Sequence, residues 1–315
     1  MPKICYAPRR FQAAKRKVIE QVNVIIEEYT AKGLDLTSTQ VFYQFVSRDL
    51  LPNTVKTRNY LTAVIAEGRL AGEIDWAAIE DRTRWTREAT HWESPAEIIE
   101  AAAETYLIDK WKDQPHRVAV WIEKDALSSV FEDICDELDV PWMSCRGYDS
   151  LSHVWRDAMK FVNYIKRGQK VILLHFGDHD PSGMDMSRNV EDRIKLFLGH
   201  HVSNVGLDLD HLFEVRRIAL TKDQVDQYTP PPNPAKKSDS RYKRYHAKHG
   251  DQSWELDALD PEVLIDLVRS AVMELRDEEQ WAKSVEVEEE HRRQLRQIAE
   301  SLEEEVEEDD ERTSL

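Results

Sequence analysis

The stretch KVILLHFGDHDPSGMDM, Lys170 to Met186, passes from an apolar run into two aspartates one residue apart and then into a Pro-Ser-Gly turn. KVILLHF has the length and continuous apolar content of a strand buried on both faces, as in parallel sheets. Upstream, VAVWIE (118–123) reads as one more strand and PWMSC (141–145) as another. DALSSVFEDICDEL and SLSHVWRDAMKFVNYIK carry helical periodicity between them. Downstream, a helix is expected after Gly183 and a fourth strand at FEVRRIAL (213–220). Strands alternating with helices of this length imply a parallel sheet covered on both faces, with ligands at the carboxyl ends of its strands. Glu123 closes the first strand, and Asp178 and Asp180 close the third, so all three are expected at that edge. Carboxylates gathered there repel, and burial makes this worse; a hard divalent cation resolves the conflict. Gly177 and Gly183 let the backbone turn closely, and the following helix aims its N-terminus at the same edge. Taken alone, Asp-x-Asp is more often the pattern of a solvated turn; joined to a strand-terminal Glu in this sheet order, it becomes specific.

The N-terminal third has a different texture. Phe11 to Lys32 has a helical apolar face (Val18, Val22, Ile25, Ile26) and stops at Gly33. Thr37 or Ser38 then caps a second helix carrying Val41, Phe42, Phe45 and Val46, broken at Pro52. A third helix ends near Gly72 and exposes Lys56, Arg58 and Asn59. Such a trio fits a helix-turn-helix or winged-helix unit, and equally an ordinary helical subdomain. Arg87 to Lys112 reads as a charged, Ala-rich helical connection, Pro261 to Arg276 as a helix, and the end from Glu286 as a charged helix fraying into an acidic run. The expected fold class is therefore multi-domain, α and α/β. A helical DNA-binding domain spans 1–95 and a linker 96–115; an α/β metal-binding domain spans 116–276 and an acidic helical tail 277–315.

The net charge of −17 argues at first against nucleic acid, but its distribution does not. Glu274 to Leu315 holds 17 acidic and six basic residues, whereas Lys3 to Lys17 holds six basic and none acidic. Pro234 to Gly250 carries six basic residues against Asp239 alone; its RYKRYHAK interleaves aromatics with cations as DNA-contacting loops do, although a mobile surface loop has the same composition. Lys236, Lys237, Arg241, Lys243 and Arg244 are the DNA-contact candidates here. Cys5, Cys135 and Cys145 lack paired or metal-type spacing, which suits free thiols in a reducing compartment. No signal peptide or membrane-length apolar run is evident, so a soluble cytoplasmic protein is expected. His200, His201 and His211 lack companions at zinc spacing, His179 is expected to face solvent, and no Gly-rich nucleotide loop occurs.

VWIEKDAL together with HFGDHDPSGMDM resembles the Toprim domain of type II topoisomerases, and in detail the topoisomerase VI A-subunit family, whose architecture the meiotic double-strand-break transesterase shares. The likeness extends over roughly Phe11 to Arg276. The family's winged-helix domain carries Thr-x-Arg-x-x-(Tyr/Phe)-Tyr, whose last tyrosine attacks DNA phosphate; TSTQVFY, Thr37 to Tyr43, places Tyr43 on the nucleophile. Thr39 stands where the family has arginine, and a substitute cation is expected from Lys3–Lys17 or Lys236–Arg244. The resemblance implies Mg²⁺, or Mn²⁺ in its place, on Glu123, Asp178 and Asp180, with Glu123 also moving a proton at the leaving oxygen. CRGYDS (145–150) falls on a strand-to-helix turn of the family, and Arg146 is expected on DNA. Lys124 points to the opposite face from Glu123 if the strand persists, and is equally a candidate DNA contact and an ordinary surface lysine. IEDRTRW (79–85) and WELDAL (254–259) look like segments of smaller prokaryotic relatives, with Glu255 near the metal edge.

The implied protein is a homodimeric, nucleoid-associated cleavage subunit acting on double-stranded DNA through a 5′-phosphotyrosyl link. One protomer's tyrosine would face the other's metal, and a separate GHKL-type ATPase subunit would supply strand passage. Two other readings remain open. One is a Toprim nuclease using water as nucleophile in a plasmid- or phage-defence complex. The other is a non-catalytic winged-helix DNA-binding protein whose carboxylates are structural.

Overall fold

The computed structural model describes residues 3–32, 34, 36–80, 89–145, 151–202 and 208–313. The chain divides into two units, one formed by Met1–Arg84 with Val118–Glu274 and the other by Trp85–Arg117 with Leu275–Leu315. The regions expected as linker and tail thus fall in one unit, together with 85–95, 116–117 and 275–276, and the rest of the expected helical and α/β regions in the other. Among the described residues no helix is long and apolar enough to cross a membrane.

In the larger unit the apolar runs form the strands expected of them. Strands β1 (His116–Ile122), β2 (Trp142–Ser144), β3 (Lys170–Phe176) and β4 (Phe213–Ala219) make a parallel four-stranded sheet in the order β2-β1-β3-β4. The mixed α/β class and the parallel sheet are as expected from the alternation of strands and helices. Val118–Ile122 and Val171–Phe176 are buried without a break, because helices cover both faces. Ala119, Trp121, Val171 and Leu173 pack with the helices Leu151–Lys166 and Pro181–Val202. On the other face the Phe131 ring meets Phe176 edge-on at 4.9 Å, under the paired helices Ser128–Glu137 and Pro261–Met273. Burying one such phenyl ring contributes about 1.5–3 kcal/mol.

Helices α1 (Ala13–Thr30), α2 (Ser38–Ser47) and α3 (Val55–Leu70) build a second core from Val22, Ile25, Val41, Phe45, Leu61 and Val64. Of the two candidates Thr37 is the cap: its side chain accepts from Gln40 N, while Gln40 Oε1 accepts from Thr37 N at 2.7 Å. This reciprocal box fixes where α2 starts, and hence which helical face carries Tyr43. Residues Gln40 to Val46 are all buried, so α2 is enclosed on every side.

The smaller unit packs the helix Pro95–Thr105 against the longer helix Glu278–Thr313. The terminal helix begins at Glu278, eight residues before its expected start. Its first turns are packed rather than solvated: Trp281 meets Trp111 edge-on and lies under the Arg276 guanidinium. Buried Glu288 accepts from Lys110 Nζ at 2.7 Å and from Ile108 N at 2.9 Å.

Candidate active site

Parallel strands end on one edge of a sheet, and β1 and β3 deliver Glu123 and the Asp178–Asp180 loop to that edge. Glu123 N donates to Phe176 O at 2.8 Å, and Glu123 Oε2 accepts from Asp178 N at 2.8 Å. The Glu123 carboxylate therefore lies across the loop that carries the two aspartates. Both loop glycines have ordinary negative φ, so left-handed backbone is not their purpose. A Cβ on Gly177 would sit 2.9 Å from Glu123 Oε2; one on Gly183 would sit 2.9 Å from the same oxygen and 2.4 Å from Asp178 O. Only glycine lets the carboxylate approach this closely.

Each aspartate has a second task. Asp180 caps the next helix, its Oδ1 accepting from Gly183 N at 2.6 Å, and the helix starts at Pro181 rather than after Gly183. Asp-Pro-Ser-Gly is thus an N-cap followed by proline at the first helical position, where the missing N–H costs nothing. Asp178, 6% exposed, accepts from Leu256 N at 2.8 Å through Oδ1 and from Lys124 Nζ at 2.9 Å through Oδ2. His179, between them, is fully buried rather than solvent-facing. Its backbone bridges Trp254, and its Nδ1 lies 2.8 Å from Tyr245 Oη. That bridge draws Trp254–Leu256 against the loop. Burial, with His249 adding to it, lowers the His179 pKa to about 4, so the ring stays neutral.

Lys124 also departs from expectation. The strand ends at Ile122, so alternation no longer applies, and the ammonium turns to Asp178 and, at 3.3 Å, to Glu255 Oε2. Glu255 is the junction of the site. Its Oε2 accepts from Tyr43 Oη at 2.8 Å, and its Oε1 from Asn233 Nδ2 at 3.3 Å. The Tyr43 hydroxyl in turn accepts from Arg58 Nη2 at 2.8 Å, with the guanidinium over the Phe42 and Tyr43 rings. An unbroken polar chain therefore runs Arg58–Tyr43–Glu255–Lys124–Asp178 within the single chain, so Tyr43 lies on a hydrogen-bonded path to carboxylates of its own chain and not, as the resemblance implies, only to those of a second copy. The cation beside Tyr43 comes from α3, not from either segment expected to supply it.

The electrostatics follow from burial. Glu123 is pushed up to about 7 by desolvation and then by the Asp178 charge. Asp257, 4% exposed, rises to about 7 by desolvation, against the pull of Lys124. Its Oδ1 has no hydrogen-bond partner. Burial also raises Asp178, with Lys124 opposing; in Glu255 the neighbouring Lys124, Tyr43 and Arg58 outweigh burial and lower it. Tyr43, 2% exposed, is held above its ordinary value by burial, Asp257 and Glu255.

Among the described residues no three His, Cys, Asp or Glu side chains close on a common point as an ion would require, since the loop backbone, the helix cap and Lys124 each hold one carboxylate. The donor set nevertheless has the chemistry of a hard-cation site. It is all oxygen, burial raises the pKa of Glu123, Asp178 and Asp257, an Asp257 oxygen has no hydrogen-bond partner, and an ammonium is seated among them.

Sequence reasoning missed Arg217. Its guanidinium, on β4, donates to Gly183 O and Gly177 O at 2.9 Å and to Asp178 O at 2.5 Å, lacing the acidic loop from beneath. An arginine inside FEVRRIAL, where a parallel strand should be apolar, was the available signal. Of the other DNA-contact candidates, Lys56, Lys236, Lys237, Lys243 and Arg244 are exposed, while Arg241 pairs with Asp185 at 3.0 Å. Arg241 and Arg244 line a cavity of about 370 Å³ with Arg188 and Lys248 beside the helix Pro181–Val202. Arg146 lies outside the described residues. No protein-family model, curated protein or solved structure matches the chain.

Proposed function

We propose that this protein is a divalent-cation-dependent DNA cleavage subunit of the topoisomerase VI A kind, with Tyr43 as nucleophile and Glu123, Asp178 and Asp180 at a Toprim-type edge. The observation that carries this reading is the chain from Arg58 through Tyr43, Glu255 and Lys124 to Asp178. A tyrosine assigned a role by TSTQVFY and a carboxylate assigned one by DHD are joined through Glu255 and Lys124, although 135 residues separate Tyr43 from Asp178. In this reading α1–α3 serve as the winged-helix domain, and the exposed basic residues Lys56, Lys236, Lys237, Lys243 and Arg244 track the phosphate backbone. A homodimer and a separate GHKL-type ATPase belong to the same proposal.

The residues have matching chemistry. The phenol proton has an acceptor in place at Glu255 Oε2. The oxygen attacks phosphorus while Arg58 neutralises charge on the phosphate, the P–O3′ bond breaks, and its electron pair stays on the 3′ oxygen. Glu123, about half protonated near neutrality because its pKa is about 7, delivers a proton there as a general acid. A bound Mg²⁺ or Mn²⁺ would supply Lewis-acid stabilisation of phosphate charge, held by Asp178 and Asp180, with Glu123 a ligand only once its proton has left. The link formed is a 5′-phosphotyrosine, and it conserves the bond energy for resealing.

One observation favours hydrolysis by water instead: Tyr43 is 2% exposed, its hydroxyl engaged by both Glu255 and Arg58. Supercoiled DNA with Mg²⁺, quenched in detergent, separates the two. Transesterification leaves protein joined to 5′ ends in the wild type and none with Tyr43→Phe. Hydrolysis leaves free 5′-phosphates in both, and equal cleavage by the two proteins removes tyrosine from the reaction.

A further inference from the structure

Three features of the acidic edge go beyond the assignment of its ligands. Lys124 Nζ occupies an oxygen, Asp178 Oδ2, that the proposed ion needs, at 2.9 Å. Lys124 is also 3.3 Å from Glu255 Oε2, the atom that accepts the Tyr43 hydroxyl. Asp257, buried beside them, keeps Oδ1 unpaired. An ammonium and a divalent ion on one carboxylate oxygen repel at short range in a poorly solvated site, so the two exclude each other. Glu255 gives the displaced ammonium somewhere to go.

We propose that Lys124 is a resident counter-cation of the acidic edge, which a divalent ion must displace from Asp178 in order to bind, the ammonium then moving fully onto Glu255. This rests on the reading of the edge as a cation site. Its consequence is a site that stays neutralised and collapsed without metal, and whose metal affinity is set by competition with its own lysine. Lys124 is a positioning residue in this scheme, not a DNA contact.

Calorimetric titration of the full chain with MnCl₂, without DNA, tests it at a pH well above the Glu123 value of about 7. Removing the competitor in Lys124→Met should tighten binding roughly tenfold, a change of the order expected for one partly screened charge at contact. Lys124→Arg keeps the charge and should bind like wild type, which a purely structural role for lysine would not produce. Asp178→Asn should abolish binding in every background.

Unchanged or weaker binding in folded Lys124→Met overturns the proposal, while loss of binding in Asp178→Asn leaves the cation site itself standing. Binding by Lys124→Met but not by wild type supports the proposal most strongly. Absence of binding in both removes the cation reading and the proposal together. If Lys124→Met does not fold, the Lys124 ¹⁵Nζ resonance, assigned by its loss in Lys124→Arg, supplies the answer in wild type. It should shift in step with Mg²⁺ occupancy, and a resonance indifferent to saturating Mg²⁺ overturns the idea.

Discussion

Glu123 and Asp257 both hold protons to about pH 7 in the folded chain, the first through burial and Asp178, the second through burial despite Lys124. An exposed carboxyl of an unfolded chain titrates near pH ~4. Between these values the folded state binds protons that the unfolded state does not. Stability is therefore full at acid pH and falls as pH climbs through the window, by up to about 1.4 kcal/mol per pH unit for each group. Asp257→Asn removes one of the two charges while keeping the side chain's shape. Urea midpoints should show the variant more stable than wild type at pH 8, with a shallower decline from pH 5 and convergence near pH 4. A variant that tracks the wild-type slope throughout would show that Asp257 does not carry this cost. Arg58 makes a separate point at the same scale. Its partner Tyr43 is fifteen residues away and one helix back, a pairing that no local spacing announces.

Among the elements, the loop from Gly177 to Gly183 was the most legible and is the most constrained. Apolar continuity located β3 to the residue, whereas Pro-Ser-Gly, read as a turn, is the first turn of the helix that follows, which starts at Pro181. The hidden part was what holds the loop: Arg217 on β4, reaching three of its carbonyls, and the Trp254 bridge to His179. Both are contacts across sequence distance, which periodicity does not encode. The expectation for Lys124 held only on condition that the strand continued, and the strand stops at Ile122, because alternation predicts a face only while a strand lasts. Gly183→Ala tests the loop as an element. Its Cβ would meet the Asp178 carbonyl at 2.4 Å, a backbone atom that yields only if the loop moves. The expected cost is about 1–3 kcal/mol of stability, with Mn²⁺ affinity falling along with it as Glu123 is pushed off the loop. Ser182→Ala, one residue away, removes a hydroxyl near Asp180 and should leave both close to wild type. Equal behaviour of the two variants in calorimetry would mean that the close carboxylate approach is unimportant.

At the scale of the whole molecule, composition was a good guide to charge and a poor guide to packing. The end read as a charged, acidic helix because Asp and Glu make up 17 of the residues from Glu274 to Leu315. Yet Trp281, Glu288 and Arg292 in its first turns bind Trp111, Lys110 and Tyr106 O, so an apparent tail supplies half of a folded unit. A cut after Arg276 would expose those partners and confuse folding with electrostatics. A cut after Leu302 removes eight acidic residues and Arg312 but spares every one of those contacts. The melting temperature should therefore not change. If the removed charge opposes the approach of a polyanion to the basic segments, DNA affinity should rise about threefold at low salt, and the gain should fade as the Debye length shrinks toward ~8 Å. Fluorescence anisotropy over a salt series reads this directly. A slope of log affinity against log salt identical to wild type, with no gain at the low end, would leave the acidic run without influence on DNA. A gain that persists unchanged at high salt would point to a steric cause rather than to charge.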